Sequence, residues 1–336
     1  MRQMKMLTLG TKDLSTYRTP LMGMATLMII ACHAPASGVV LPQVLSRLFT
    51  MGNYGVDLFL LLSGIGVYYS LSKQSATSLG GVLWYKKRLN RIIIPYLIVY
   101  IPYSIVMLLQ GKYTMGECLL CLSTLEYWVS HRGAWFVSLI LVLYLLSPQL
   151  FIMMKSKGRW LYEGLIIVGI MAICNSVEPS GSGFVSNVVF ALGRVPSFVL
   201  GMGLGNLCQQ NRKISAFWII MPVVLYVVFV KVCAVYHALA WMLIPLMTYL
   251  FILFLRLTKA ITCCARAFNF LGKISLESYL TNITLNSLLQ TLIPAYVASS
   301  LFYGRWIEYT IVVVVGLIVA YYVNKISSQI QNRVAS

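Results

Sequence analysis

Charge is scarce in this chain, and acid is scarcer. Only 10% of its 336 residues are charged, and eight are Asp or Glu. A soluble domain carries about a quarter charged residues, so an ordinary water-facing surface is excluded. No long polar linker interrupts the apolar segments, which argues for one membrane-embedded domain over residues 1–336. Cys118-Leu119-Leu120-Cys121 has no second Cys or His pair near it, and zinc takes about four ligands. That spacing, like Cys32 and Cys263-Cys264, therefore reads as small apolar residues, and no metal is expected. No internal repeat is visible, so the inverted halves typical of secondary transporters find no support. No small-x-small site follows the first apolar run, so a cleavable signal peptide is not expected. The net charge of +18 comes in short clusters between apolar runs rather than in a stripe interleaved with aromatics. A nucleic-acid partner is therefore not expected.

What the chain has in quantity is hydrocarbon: 59% of its residues are hydrophobic. A helical span takes about 20 apolar residues. Ten segments qualify, at 20–38, 53–72, 91–110, 134–154, 160–176, 185–206, 216–235, 238–257, 275–297 and 306–325, the fifth being short and the seventh and eighth meeting near His237. The expected fold class is an all-α, polytopic transmembrane bundle of about ten spans, with membrane lipid as its surroundings. With the N-terminus placed in the cytoplasm, twenty Lys and Arg fall in inside segments and five in outside ones, with Arg194 alone inside a span. Cytoplasmic loops concentrate these residues, so both termini are expected inside. Pro95, Pro102, Pro148, Pro196, Pro245 and Pro294 lie within or at the ends of spans and predict kinked helices.

Ionisable groups at membrane depth are costly and mark function. His33 lies fifteen residues beyond Arg18, about 22 Å along a helix, and so in the outer half of the bilayer. Asp57 enters from the outer side on the next span. A carboxylate beside an imidazole suits a general base; a histidine satisfied by a backbone carbonyl and an aspartate capping a helix is the plainer alternative. Arg88 and Arg91, three apart at the start of the third span, share a helix face. With Lys86 and Lys87 they can dock a phosphate-bearing cofactor from the cytoplasm or simply meet lipid phosphates. Arg194, near mid-membrane, needs Asp57, a wet cavity or an anionic ligand. Glu277 can pair with Arg88 or Arg91, and Asn282 lies deeper on the ninth span, where interhelical hydrogen bonding is the default. Trp128, His131, Arg132 and Trp135 stand at the outer boundary, as an aromatic belt or as a platform for sugar. Gly201-Met202-Gly203-Leu204-Gly205 lacks the strand-turn-helix setting of a nucleotide loop, so close helix packing is expected there.

Six pieces in order resemble the integral-membrane acyltransferase-3 family. They are Met22-Gly23-Met24-Ala25 running to His33; Gly55-Val56-Asp57-Leu58-Phe59 with Ser63-Gly64; Tyr85-Lys86-Lys87-Arg88-Leu89-Asn90-Arg91 with Pro95-Tyr96; Trp135 with Tyr144 and Pro148; Arg194-Val195-Pro196-Ser197-Phe198 with Gly201; and Leu271-Gly272-Lys273-Ile274-Ser275-Leu276-Glu277-Ser278-Tyr279-Leu280. The resemblance implies O-acetylation of bacterial envelope glycans at the inner membrane. It implies that His33 is catalytic and that Arg88 and Arg91 serve acyl-CoA. The sequence departs from the family pattern at Met22, where a basic residue is frequent; at Ile140, where a Glu is; and at Asn282, where a His is.

The expectation is an acyltransferase that uses acetyl-CoA, or another acyl-CoA, as co-substrate, with His33 as base and Asp57 as its orienting acid. Lys87, Arg88 and Arg91 would hold the cofactor. Arg194, Trp135, Asn282 and Glu277 would face the substrate or developing oxyanion, and the acceptor would be a glycan or lipid-linked sugar. A flippase for lipid-linked glycans, or an inactive relative, is the alternative.

Overall fold

Without water to bind its polar groups, an apolar backbone in lipid must satisfy them internally, and a helix does so residue by residue. A computed structural model describes residues 10–177, 183–233, 238–258, 261–292 and 302–335. The expected positions of His237 and Pro294 lie outside the described residues. The described helices are α1 (Thr11–Thr16), α2 (Arg18–Ala36), α3 (Gln43–Thr50), α4 (Tyr54–Leu71), α5 (Val82–Leu109), α6 (Met115–Leu122), α7 (Glu126–Ser130), α8 (Trp135–Lys155), α9 (Arg159–Ser176), α10 (Phe184–Leu192), α11 (Val195–Gln209), α12 (Phe217–Lys231), α13 (Ile244–Leu257), α14 (Thr262–Lys273), α15 (Ser275–Leu292) and α16 (Phe302–Ala335). Among the described residues the β-structure is a single bridge between Gly10 and Lys213.

Six helical stretches are long and apolar enough to cross a membrane: Arg18–Ala36, Gln43–Leu71, Val82–Leu109, Trp135–Lys155, Phe184–Gln209 and Arg305–Val334. Two shorter apolar helices, Phe217–Lys231 and Ile244–Leu257, fall on the seventh and eighth expected spans. The fifth and ninth fall on α9 and α15, 18-residue helices. Both carry polar residues, Arg159 and Glu163 in one and Glu277, Asn282 and Asn286 in the other, so helix and hydropathy separate there. Prolines sit where a helix tolerates them: Pro95, Pro102 and Pro148 within α5 and α8, and Pro196 and Pro245 in the first turns of α11 and α13, where an N–H would lack an intrahelical partner.

The chain divides into two compact units. The first comprises Met1–Met24, Val56–Val82 and Val142–Lys273. Its N-terminal segment is tied to the end of α11, where the Thr11 hydroxyl donates to the Arg212 carbonyl at 2.7 Å, and to α13, where Asp13 pairs with Arg256 at 2.8 Å. Asn206 of α11 donates to the Met154 carbonyl at 2.6 Å. Gly64 of α4 and Gly201 of α11 meet backbone to backbone: a Cβ on Gly64 would strike the Phe198 carbonyl, and one on Gly201 the Leu61 carbonyl. Two glycines facing each other let these helices approach as in small-residue membrane packing.

The second unit comprises Ala25–Gly55, Leu83–Leu141 and Ile274–Ser336. Its backbone is the α15–α16 pair, the most extensively packed pair of helices, and Thr281 of α15 donates to the Gly316 carbonyl of α16 at 2.9 Å. The Tyr309 hydroxyl of α16 donates to the Ile30 carbonyl of α2. Tyr96 and Tyr100 stack within α5 at 4.2 Å between centroids, and the Tyr96 hydroxyl donates to the Cys121 carbonyl of α6 at 2.6 Å.

Candidate active site

Most of the residues singled out in the sequence fall in the second unit. His33 lies in the last turn of α2, and its Nδ1 is 2.8 Å from the Ile29 carbonyl one turn earlier. A carbonyl only accepts, so Nδ1 carries the proton and Nε2 holds the lone pair. Tyr309 grips the adjacent carbonyl, that of Ile30, and Ser37 donates to the carbonyl of His33 itself at 2.8 Å. The turn bearing the imidazole is thus fixed on both sides.

At the start of α5, Lys87 and Arg91 are exposed, and the Arg88 guanidinium lies 5.9 Å over the Trp84 ring. Trp84 is buried, so the ring sets the direction of the arginine. Glu277 of α15 is buried and accepts from Asn324 Nδ2 of α16 at 2.9 Å, and the Arg91 charge acts on the same carboxylate. Asn324 was not foreseen, since nothing in the sequence aligns α16 with α15. Asn282 is buried on α15, on the side of Gly316.

The boundary aromatics gather on Tyr127. Its ring lies 5.1 Å from Trp128, 5.5 Å from His131 and 6.5 Å from Trp135. His131 ends α7 in a left-handed conformation (φ 59°). Near this cluster lies a cavity of about 440 Å³ lined by Tyr100, Tyr103, Tyr113, Lys112, Arg132 and Ser287, among others. Tyr103 and Ser287 hydroxyls are 3.0 Å apart, and the Tyr113 hydroxyl donates to Glu126 Oε1 at 2.6 Å. Burial, then the bond to Glu126, push the Tyr113 hydroxyl far above its ordinary value, so it stays a donor. Glu126 is buried, and its Oε2 and the Tyr100 hydroxyl have no hydrogen-bond partner among the described residues. A buried unpaired polar atom costs about 1–3 kcal/mol, which a ligand hydroxyl would recover. Glu126 escaped the sequence reading; its only signal is that acids are so few.

Asp57 and Arg194 belong to the first unit, and the structure joins them. The Arg194 guanidinium pairs with Asp57 Oδ2, and the Ser197 hydroxyl donates to Oδ1 at 2.8 Å. Asp57 is 0% exposed. Arg194 and Ser197 thus meet both oxygens of Asp57, while the His33 imidazole has the Ile29 carbonyl as its holder. The reason is local. Arg194 precedes α11 at its N-cap and Ser197 lies three residues on, so the two share a face, and the Gly64–Gly201 crossing brings that face to α4. Removing one partner of such a buried pair costs about 3–5 kcal/mol.

The remaining motifs are structural. Gly201, Gly203 and Gly205 pack against Leu61, Glu163 and Tyr68, as helix packing requires. Cys118 and Cys121 are buried, and burial pushes the Cys121 thiol up. Among the described residues no three His, Cys, Asp or Glu side chains gather as a metal cluster.

Long apolar helices carrying a held histidine, a basic helix start and a buried ion pair define a multi-pass membrane protein with polar chemistry inside it. The acyltransferase domain of the acyltransferase-3 family matches residues 22–325, and the chain belongs to that family. No curated protein and no solved structure matches it. Membership makes it a membrane acyltransferase, and the six pieces read in the sequence lie within the matched stretch.

Proposed function

We propose that this protein is an O-acyltransferase of the bacterial inner membrane. It moves an acetyl or other short acyl group from cytoplasmic acyl-CoA to a hydroxyl of an envelope glycan or lipid-linked sugar. The observation that carries the reading is the tautomer of His33: with Nδ1–H given to the Ile29 carbonyl, Nε2 is the base. Nε2 takes the proton of the acceptor hydroxyl as its oxygen attacks the thioester carbonyl. The C–S bond breaks, and the imidazolium returns the proton to the departing CoA thiolate. The carbonyls at the end of α2 favour the transient cation.

Lys87, Arg88 and Arg91 suit the CoA phosphates, because guanidinium forks pair with phosphate at two points and this helix start carries no acid. With Arg194 committed to Asp57, backbone N–H groups are left to meet the developing oxyanion. The tyrosine-lined cavity suits the acceptor, since it presents several hydroxyls and two cations around about 440 Å³, with the Glu126 carboxylate behind Tyr113. In this topology Lys112 and Arg132 face outward, the side on which an envelope glycan is met.

The test is transfer from radiolabelled acetyl-CoA by purified protein in proteoliposomes. His33→Ala is expected to abolish both transfer and acetyl-CoA hydrolysis while leaving yield and thermal profile unchanged. Retained transfer by that variant would remove the mechanism, and CoA-independent movement of lipid-linked glycan would favour a flippase instead.

A further inference from the structure

The first unit bears a second, larger cavity of about 800 Å³, open on one side, that the transferase chemistry does not use. One face of α9 lines it from Arg159 to Asn175, about 24 Å at 1.5 Å per residue. That length is most of the hydrocarbon thickness of a bilayer. Apolar side chains of α11, α12 and α13 form the other walls.

The chamber is polar at one end. Arg159 begins α9, and Arg212 and Lys213 lie between α11 and α12; all three line it. Trp160 of α9 and Trp218 of α12 stack there at 5.9 Å, with the Arg159 guanidinium 4.5 Å over Trp160. Stacked indoles beside cations are a membrane-boundary arrangement. Three chamber residues, Glu163, Trp241 and Thr248, present buried polar atoms (Oε2, Nε1 and Oγ1) with no hydrogen-bond partner among the described residues. Glu163 and Thr248 are 6% and 2% exposed. Glycine at 203 keeps the Glu163 carboxylate in place, since a Cβ there would stand 2.5 Å from Oε2. Buried polar groups are normally satisfied, so Glu163, one turn from the basic end, and Thr248, deeper, point to an occupant with polar atoms below its head.

We propose that this chamber binds a long-chain lipid with a phosphate head group. The chain lies along α9, and the phosphate meets Arg159, Arg212 and Lys213. Glu163, one turn inward from Arg159, accepts from a hydroxyl of the head group or of the phosphate itself, the Thr248 hydroxyl donates to an oxygen below the phosphate, and Trp241, toward the Asn175 end, lies beside the chain. Three cations against one acid match an anion, and the apolar length matches its chain. The proposal is independent of the transferase mechanism, because binding alone reads it.

Two sources share this chemistry, a bilayer glycerophospholipid and a polyisoprenyl phosphate. The probe is phosphatidylglycerol with brominated chains, which quenches nearby tryptophans such as Trp160, Trp218 and Trp241. A side chain added at Gly164, which lines the chamber, meets nothing within 4 Å, and the same holds at Gly169 of the same helix, which does not line it. Saturable quenching is expected in the native protein and in Gly169→Phe, and its loss in Gly164→Phe. The double variant Arg212→Ala with Lys213→Ala should bind roughly tenfold more weakly; it carries the test if Gly164→Phe does not fold. Displacement by unlabelled phosphatidylglycerol alone identifies the bilayer lipid, and displacement by polyisoprenyl phosphate at lower concentration identifies the carrier. Equal quenching by brominated phosphatidylcholine, or by phosphatidylglycerol in all variants, overturns the proposal.

Discussion

The two compact units treat their polar groups in opposite ways. In the first, the acid of α4 is paired off: Asp57 with Arg194 and Ser197. Its cavity is long, apolar and basic at one end. In the second, polar groups are held but kept in use. Among the described residues His33 is fixed through Nδ1, Glu126 gives one oxygen to Tyr113, and the cavity is short and lined by tyrosines. The contrast teaches that an ionisable residue in a membrane span is not by itself a catalyst. Asp57 is the most deeply buried acid of the chain's candidates, and Arg194 and Ser197 make it a link between α4 and α11.

The sharpest way to break this comparison is Asp57→Ala. It strands Arg194 and should destabilise the protein by about 3–5 kcal/mol, seen as a lower thermal midpoint in detergent. Replacing both residues, Asp57→Leu with Arg194→Met, should restore most of that loss, as apolar substitutes for a buried pair do. If Asp57→Ala keeps full stability and loses only transfer, Asp57 belongs with the chemistry after all. A smaller effect is expected for Tyr113→Phe, which takes a donor from a buried carboxylate and costs about 1–3 kcal/mol. With the cavity as the acceptor site, the KM for acceptor should rise roughly tenfold while the KM for acetyl-CoA stays put. A change in the acetyl-CoA value alone would move the acceptor elsewhere.

The least effect belongs to Glu117, at the surface. Thr114 and Glu117 form a capping box on α6, and the Thr114 N–H, then its hydroxyl, then Arg132 hold the Glu117 carboxyl below its ordinary value. A depressed carboxylate stabilises the fold above its unfolded pKa, and that contribution fades as pH falls through the lowered value. Acid titration of stability should therefore show a small loss below about pH 4 that Glu117→Gln removes. An unchanged acid limb in that variant would show that the box contributes nothing measurable.

Parts of this were legible in the sequence. The apolar runs located most of the helices, although α5 begins nine residues before its expected span, α16 runs ten beyond and the sixth span is two helices, and the helical period put Arg88 and Arg91 on one face. The need of Arg194 for a counter-charge was readable from depth alone, and Asp57 was among the partners it offered. What was not legible follows from the same physics. His33 and Asp57 look like a pair because adjacent spans can share a level, but which groups they meet depends on helix rotation and crossing. The Gly64–Gly201 contact sets that for Asp57. Ser197 was visible within the Arg194-Val195-Pro196-Ser197 run, yet only packing against α4 made it a partner. Glu126 and Tyr113 are thirteen residues apart in a boundary segment with no period to read.

Sequence alone determined that this chain is helical and lies in a membrane, because solvent transfer and local periodicity act on neighbouring residues, and six ordered motifs carried its likeness to the acyltransferase-3 family. Tertiary structure decided which polar groups neutralise one another and which stay available. It also decided where the two cavities open. Those outcomes turn on contacts a few ångströms long between helices far apart in the chain, and no single segment carries them.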